Sequence, residues 1–236
     1  DEVVLCIDAK NYWRKDVFPL YKANRAASQK KDPFDWDALH AAFNVVKEEF
    51  KANLPYKYVE VDRAEADDVI SVLALTMAPH RDVVIVSNDN DFLQLQSINP
   101  KIKQYSLKHN KFITPANSAY SLLEHVIKGD SGDGVPNIFS DEDTFMVQHK
   151  RQKNVYNADL LEWAKTGLHR PEVFCTTPEI RARFETNRTM VDLTQIPVDL
   201  QLAIREAYDA SVINKSNVFN YLVANKMKKA LERGNF

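Results

Sequence analysis

Short apolar runs that end in carboxylates alternate with helical repeats along the first half of the chain. The run VVLCID, Val3–Asp8, is apolar until its last residue, and DVVIVSNDNDF, Asp82–Phe92, contains an apolar run that leads into an acidic turn. Such runs are typical of parallel strands buried on both faces. Apolar residues at three- and four-residue spacing predict helices over Asp35–Asn53 and Glu65–Met77. The segment Tyr56–Val61 lies between those helices and predicts a further short strand.

The later segments predict a change of architecture part-way along the chain. Asn11–Lys31 mixes aromatic and basic residues and predicts a loop or an irregular helical excursion. Ile102–Tyr105 and Lys111–Ile113 flank a polar turn and predict a pair of short strands. From Ser118 onward helical patterns dominate, and the stretch Gly129–Pro136 between helices holds three of the five glycines in the chain.

These patterns predict an α/β fold whose twisted, mainly parallel sheet is flanked by helices. We expect this part to occupy residues 1–117, with segment 10–34 as an excursion from it. A mainly helical region follows over residues 118–236, and we expect it to present the Gly-rich stretch as a helix–loop–helix.

Composition places the chain among ordinary soluble proteins. Its 236 residues are 44% hydrophobic and 27% charged, and no apolar run approaches the roughly 18 residues that cross a bilayer. The start, DEVVLCIDAK, lacks the basic-then-apolar order of a secretion signal. Cys6 and Cys175 are the two cysteines, and the apolar surroundings of Cys6 favour a buried thiol over a metal ligand or a disulfide. We therefore expect a cytoplasmic protein.

The net charge of −2 hides a strong local asymmetry. From Lys10 to Lys31 there are seven basic residues and one acidic residue, Asp16, a local balance of +6. A basic patch apart from carboxylate clusters suits an enzyme that binds phosphates with one surface and metals with another.

Acidic side chains follow the predicted strands and open a predicted helix. Asp8 ends the first strand, Asp89 and Asp91 follow the Asp82–Phe92 run, and Glu65 and Asp67 open the helix that begins with EADD. Ligands bind beyond the carboxyl ends of parallel strands, so we expect these five carboxylates to share a small volume. Like charges at close range need a counter-charge. A pair of Mg²⁺ ions can provide it and can activate water against a phosphodiester.

Each carboxylate taken alone has a plainer interpretation. Asp8 could cap a strand, Asp89-Asn90-Asp91 could form a turn, and EADD could favour the positive end of a helix dipole. Asp68 looks more like a capping or supporting residue than a direct ligand. The joint pattern favours the metal site over these separate roles.

A further acidic pair, Asp130 and Asp133, lies in KGDSGDGVPNI, Lys128–Ile138. Three glycines there permit positive φ and close approach of another backbone. Main-chain N–H groups of such a loop can bind a phosphodiester, with a monovalent cation such as K⁺ between carbonyls and phosphate. A tight turn between helices remains the alternative.

Five motifs occur in the order found in the flap-endonuclease superfamily: LCID, YWRKD followed by YKANR, EADD, SNDNDF and KGDSGDGVPNI. The chain resembles that superfamily, and within it most resembles the ribonucleases H of T-even bacteriophages. The resemblance covers nearly the whole chain and weakens between about residues 139 and 188. It implies a PIN-like nuclease core.

The resemblance also implies a role for individual residues. It places Asp8, Glu65, Asp67 and Asp89 around one metal ion, and Asp91, Asp130 and Asp133 around a second. It makes Lys22 and Arg25 the residues that steer the scissile phosphate and stabilise developing charge. Tyr21 would stack on an unpaired base, and the loop with Gly129, Gly132 and Gly134 would hold the duplex through its backbone. A solvated basic helix with one buried Tyr is the alternative for Tyr21, Lys22 and Arg25.

The family's pattern begins with an earlier strand that carries another metal-binding Asp, and this sequence begins at the next strand. We expect residues before Asp1 in the protein, because a sheet without a central strand would expose apolar edges. A truncated product with damaged metal binding is the alternative.

The activity implied is a Mg²⁺-dependent 5′-3′ exonuclease and flap endonuclease with ribonuclease H activity. Mn²⁺ would substitute for Mg²⁺. The implied substrates are DNA and RNA–DNA hybrid with 5′ ends or flaps, in the removal of RNA primers during phage replication. We expect a monomer without membrane contact, with single-strand-binding protein or a sliding clamp as candidate partners at the basic C-terminal segment Val218–Phe236.

Two functions of other classes stay open. A catalytically impaired protein that binds branched DNA would keep the same fold, but it would gain nothing from clustered carboxylates beside phosphates. A metal-dependent phosphatase for small substrates would leave Tyr21, Lys22, Arg25 and the Gly-rich loop without a role.

Overall fold

A computed structural model describes residues 2–30, 32–114, 118–166 and 170–234. Lys31, which belongs to the basic segment, and residues 115–117 at the predicted domain boundary lie outside the described residues. The last two residues of the predicted C-terminal helix also lie outside them.

The first strand pair joins two segments that the sequence marked as strands. Strands β1 (Val4–Ile7) and β2 (Lys57–Glu60) run parallel, with Cys6 opposite Val59. Val59 is fully buried. Because β1 ends at Ile7, Asp8 stands at its carboxyl end as expected.

A second sheet has three strands. Strands β3 (Val83–Val86) and β4 (Ile102–Ser106) are parallel, and β5 (Lys111–Ile113) returns antiparallel to β4. The expected pair of short strands is therefore confirmed, and the two strands form a hairpin. Its turn includes Asn110 at φ 50°, a left-handed conformation that Asn tolerates better than most residues.

The sheet differs from the expected single one. In the described part of the chain, β1 bonds only to β2 and β3 bonds only to β4, so the strands form two small sheets. The α/β fold with mainly parallel strands flanked by helices is confirmed. The division of the strands between two sheets is a finding of the structure, because an apolar run identifies a strand but does not say which strand is its neighbour.

Eleven α-helices occur in the described residues. They are α1 (Arg14–Val17), α2 (Ala23–Gln29), α3 (Trp36–Asn53), α4 (Ala66–Met77), α5 (Leu93–Ile98), α6 (Ser118–Lys128), α7 (Asn157–Ala164), α8 (Pro178–Val191), α9 (Val198–Ala210), α10 (Val218–Ala224) and α11 (Lys228–Arg233). Side-chain caps mark some of their starts: the Asp35 carboxylate accepts from the Ala38 N–H, and the Thr177 hydroxyl accepts from the Ile180 N–H. No helix in the described part of the chain is both long and apolar enough to cross a bilayer.

Helix α4 links the two sheets, since it packs on β1, β2 and β3. Its residues Val69 and Val72 are buried with Ile204 of α9. A separate cluster joins α6 and α8, and it takes in Phe18 and Tyr21 from the segment that carries α1 and α2. The basic excursion is therefore anchored on the helical region by its aromatic residues. The division of domains at 117/118 stays a prediction.

Two helical expectations need correction. The Gly-rich stretch is followed by turns, and the next helix begins only at Asn157, so the loop does not lead directly into a second helix. The segment Val218–Phe236 forms two short helices, α10 and α11. They are separated at Lys226, whose φ of 54° is incompatible with a continuous right-handed helix.

The Gly-rich loop uses its glycines unequally. Gly129 and Gly134 have φ of 67° and 77°, whereas Gly132 is not in this region. A Cβ on Gly129 would collide with the carbonyl oxygens of Val135 and Pro136. The expectation of positive φ holds for two of the three glycines.

We predict that Gly129→Ala lowers the free energy of unfolding by at least about 2 kcal/mol, because it combines left-handed strain with a backbone collision. Gly132→Ala is the matched control and should change it by less than about 1 kcal/mol, since its Cβ would lie 3.1 Å from the movable Asp130 Oδ1. Urea unfolding of both variants measures the difference, and equal losses would contradict the backbone argument.

Candidate active site

The start of α4 is fixed by a reciprocal pair of acidic side chains. Glu65 precedes the helix, and its N–H donates to Asp68 Oδ2 at 2.9 Å while its own side chain accepts from the Asp68 backbone. Asp68 is fully buried and also accepts from Trp13 Nε1 at 3.0 Å. The structure thus gives Asp68 the capping role expected from the sequence.

A buried guanidinium joins this helix start to two other elements. Arg14 of α1 is 3% exposed, and its Nη1 lies 2.8 Å from Glu65 Oε2. Its Nη2 lies 2.8 Å from Asp68 Oδ1, and its Nε donates to the Met190 carbonyl of α8 at 3.0 Å. In the sequence Arg14 is one base of the basic segment, and no local signal marks it as buried.

Lys22 and Arg25 lie beside the same carboxylates. Lys22 Nζ donates to Glu65 Oε1 and lies 3.9 Å from Asp133 Oδ2. Arg25 donates to the Asp133 carboxylate and, through Nε, to the Gly132 carbonyl at 2.9 Å. Burial opposes the charge on Lys22, but the charges of Glu65 and Asp133 and the hydrogen bond to Glu65 together outweigh it and raise the pKa of Lys22. The basic segment and the acidic residues thus form one site.

Tyr21 does not have the role expected of it. Its ring is 5% exposed, and its hydroxyl lies 3.0 Å from Glu65 Oε2 and 2.9 Å from Asp133 Oδ2. Stacking on an unpaired base is therefore corrected to a structural role, in which the hydroxyl bridges two carboxylates from distant parts of the chain. The alternative of a buried Tyr fits this structure.

Three of the expected carboxylates lie together without a basic partner. Asp8 Oδ1 accepts from the Ala66 N–H at 2.7 Å, which places the end of β1 against the start of α4. Burial, together with the charges of Asp89, Asp8 and Glu65, raises the pKa of Asp67 to about 7. Burial also raises the pKa of Asp89. Within the described ranges, neither Lys nor Arg forms an ion pair with Asp8, Asp67 or Asp89.

The remaining pair, Asp91 and Asp130, faces a histidine that the sequence analysis missed. His125 on the last turn of α6 has Nδ1 3.2 Å from Asp91 Oδ1 and Nε2 3.7 Å from Asp130 Oδ2. Burial opposes its charge, but hydrogen bonds to Asp130 and Asp91 raise the pKa of His125 to about 10. The same hydrogen bond lowers the pKa of Asp130. His125 lies five residues before Asp130, and only the pairing of α6 with the Gly-rich loop shows its role.

The Gly-rich loop is tied to the basic segment through its backbone. The Lys22 N–H donates to the Asp133 carbonyl at 2.7 Å, and Asn24 Nδ2 donates to the Ser131 carbonyl at 2.9 Å. The N–H groups of Asp133 and Val135 donate to Asp130. Because these two N–H groups already donate inside the loop, they are not available to a phosphate. Phosphate binding by this loop stays a prediction, and it would need other N–H groups of the loop.

The carboxylates fit a hard divalent cation. One cleft is lined by five of the seven expected ligands, Glu65, Asp67, Asp91, Asp130 and Asp133. Ligand atoms of Asp91, His125 and Asp130 lie within 4.8 Å of one another. Burial and the charges of neighbouring carboxylates raise the pKa of Asp67 in the same place, and clustered carboxylates of this kind favour oxygen-ligated cations. The chain therefore has a site that can hold a metal ion.

The two halves of the chain match two family models. Residues 1–122 match "5′-3′ exonuclease, N-terminal resolvase-like domain", and residues 117–235 match "T4 RNase H, C terminal". The chain belongs to the 5′-3′ exonuclease family.

Similar proteins agree with this family. Ribonuclease H of enterobacteria phage T4 is 28% identical over 236 residues, which cover 97% of this chain and 76% of that protein. Flap endonuclease Xni of a Shewanella species is 33% identical over 137 residues, 53% of this chain and 48% of that protein. Thus the chain spans about half the length of that flap endonuclease.

A solved structure shares the fold. The flap endonuclease of bacteriophage T5, in a complex with DNA and metal ions, superposes with a TM-score of 0.62 at 15% identity, covering 86% of this chain and 79% of that one. The expected family and the expected enzyme class, a metal-dependent 5′ nuclease, are confirmed by the family match.

We predict that Asp67→Asn stabilises this 5′ nuclease when metal is chelated. A carboxyl whose pKa is raised by folding contributes stability below its unfolded value of 3.8 and loses it as pH rises to about 7. Asn does not ionise, so the variant avoids the loss of stability that Asp67 suffers as the pH rises. The free energy of unfolding of the variant should therefore exceed that of the wild type by about 1–2 kcal/mol more at pH 8 than at pH 5, allowing for solvent screening.

Urea unfolding with chelator at both pH values measures this gain. The exposed Asp62→Asn is the control and should show no dependence on pH. A gain of Asp67→Asn that is equal at the two pH values would contradict the repulsion between Asp67 and its neighbours.

Proposed function

We propose that the protein hydrolyses phosphodiesters at or near the 5′ ends of nucleic acid, with two Mg²⁺ ions at the clustered carboxylates. The observation that carries this proposal is the meeting of Glu65 and Asp133 with Lys22 and Arg25. It brings cations suited to a phosphate directly against carboxylates suited to metals. Neither group alone would distinguish a nuclease from a structural ion-pair network.

For the carboxylates we propose the two ligand sets that the family resemblance implies. Asp8, Glu65, Asp67 and Asp89 would hold one ion, and Asp91, Asp130 and Asp133 would hold the other. Bound divalent ions at such a pair of sites supply an activated water and neutralise charge on the phosphate oxygens. Mn²⁺ has the same oxygen preference, and we propose that it substitutes for Mg²⁺.

Lys22 is placed to stabilise the charge that develops on the scissile phosphate. Its ammonium lies between Glu65 and Asp133, which belong to different ligand sets. It also lies 5.0 Å from the Tyr12 ring centroid and 5.1 Å from that of Tyr21. The raised pKa keeps Lys22 protonated at neutral pH, so its charge is available without a proton transfer.

Arg25 would meet the phosphate earlier than Lys22. Its side chain is 53% exposed, against 20% for Lys22. It reaches from α2 to the Gly-rich loop, so it lies at the entrance to the site. A planar guanidinium there can bind a phosphate through two donors and orient it.

The substrate class follows from the relatives. The similar phage protein is named a ribonuclease H, and the T5 enzyme with the same fold binds DNA and metal ions. We therefore propose RNA–DNA hybrid and flapped DNA as substrates, with primer removal during replication as the role. A monomer in the cytoplasm, K⁺ at the Gly-rich loop and a replication partner such as single-strand-binding protein or a sliding clamp complete the proposal.

A labelled flap tests the proposal against a catalytically impaired binder of branched DNA. The protein is incubated with a flap labelled at its 5′ end, first with Mg²⁺ and then with chelator. Short labelled products that require Mg²⁺ support the nuclease. A retarded but uncut band in Mg²⁺ would support the binder and overturn the proposal.

We predict that Asp89→Asn abolishes cutting and leaves DNA affinity within about threefold. Asn keeps the size of the side chain but removes a charge that the cations need, and DNA binding relies on the basic residues. Gel retardation and flap cutting are measured on the same preparation. Asp82→Asn, an exposed carboxylate at the start of β3, should cut at the normal rate, and retained cutting by Asp89→Asn would remove Asp89 from the site.

We also predict that Lys22→Ala slows single-turnover cutting by roughly 10²-fold, because it removes one charge-stabilising group from the transition state. Lys30→Ala, in the same basic segment but exposed, should slow it by less than about threefold. If both variants lose activity equally, Lys22 acts only through the general charge of the segment.

A further inference from the structure

The three-residue cluster of Asp91, His125 and Asp130 differs from the rest of the site by its nitrogen donor. Asp91 lies in the turn after β3, His125 ends α6, and Asp130 lies in the Gly-rich loop. Among the described residues, this is the group of three metal-ligating side chains whose donor atoms all lie within 4.8 Å. The other carboxylates of the site offer oxygen only.

Local hydrogen bonds hold the cluster together. The Gly129 N–H donates to the His125 carbonyl at 2.8 Å, which fixes the loop directly after the helix. The Asp133 N–H donates to Asp130 Oδ1 at 3.1 Å, which leaves Oδ2 facing the ring at 3.7 Å. The His125 side chain is 25% exposed, so an ion can reach it from solvent.

We propose that His125 is a nitrogen ligand of the cation held by Asp91 and Asp130, and that this site prefers Mn²⁺, Co²⁺ or Zn²⁺ to Mg²⁺. The inference rests on the proposed function, in which Asp91 and Asp130 belong to the second ion. It adds a ligand and a metal preference to that site.

The chemistry of the donors supports this preference. Mg²⁺ is held almost entirely by oxygen and keeps several waters. Mn²⁺ also binds oxygen well, but sites that mix nitrogen and oxygen donors bind first-row transition ions in an order that starts with Mn²⁺ and rises through Co²⁺, and imidazole suits Zn²⁺ in particular. Nδ1 lies 3.2 Å from Asp91 Oδ1 and Nε2 lies 3.7 Å from Asp130 Oδ2, so each ring nitrogen lies beside one of the two carboxylates that would share the ion.

The competing explanation is that His125 serves only as a positive counter-ion. A protonated ring between two carboxylates would occupy the place of a cation rather than help to bind one. The two explanations predict opposite effects of removing the ring on metal affinity. If His125 is a counter-ion, it competes with every metal, and its removal should raise the affinity for all of them. If His125 is a ligand, its removal should lower the affinity for metals that accept nitrogen.

The test compares metal binding by the wild-type protein, His125→Ala and His125→Lys, without nucleic acid. Calorimetry measures the affinity for Mg²⁺ and for Mn²⁺ in separate titrations. We expect both variants to lose at least about tenfold in Mn²⁺ affinity at one site, while their Mg²⁺ affinity stays within about threefold. His80→Ala, an exposed His near the end of α4, is the matched control and should behave as wild type.

Pulsed paramagnetic resonance of bound Mn²⁺ gives a readout that does not depend on activity. Coupling to an imidazole nitrogen should appear in the wild type and vanish in both His125 variants. Absent coupling in the wild type, or higher affinity for both metals in His125→Ala, would overturn the proposal. Cutting of the labelled flap by wild type in Mg²⁺ is scored separately, so failure of the nuclease proposal is distinguishable from failure of this one.

Discussion

The site depends on one buried guanidinium. Arg14 lies between Glu65 and Asp68 and also bonds to the Met190 carbonyl, so it joins α1, the start of α4 and the end of α8. Two carboxylates at 2% and 0% exposure need such a partner, because an unpaired buried charge costs several kcal/mol. With Arg14 in place, the first turn of α4 can direct acidic residues inward, and the basic segment begins beside them.

The same acidic surface carries a repulsion that folding does not remove. Asp67 sits near Asp89 and Asp8 with no Lys or Arg in an ion pair among the described residues, and burial together with those negative charges raises its pKa. If stability alone mattered, each of these carboxylates would be paired with a basic residue or replaced by an uncharged one. Function is the physical reason to keep these carboxylates, because a bound cation relieves the repulsion among them.

Local patterns predict much of this fold, and contacts between distant segments account for what they miss. Apolar runs and short spacings predict that Asp8 and Asp89 follow strands, that a pair of strands precedes α6 and that Asp68 caps a helix. Arg14 and Met190 are 176 positions apart, and no spacing rule relates them. The burial of Tyr21 and the approach of His125 to Asp91 arise in the same way, from packing of the basic segment and α6 against the loop.

The distribution of protein cations sets how the two proposed metal sites would differ. Glu65 and Asp133 are neutralised by Lys22 and Arg25, and Asp91 and Asp130 by His125. Asp8, Asp67 and Asp89 have no such partner in the part of the chain that is described. A divalent ion relieves the repulsion among those three carboxylates and meets protein cations only at its fourth proposed ligand, Glu65, which Lys22 and Arg14 already pair, whereas an ion beside His125 must compete with a proton. The stronger site should therefore be the one at the end of β1, and the site at the Gly-rich loop should depend more on which metal is offered.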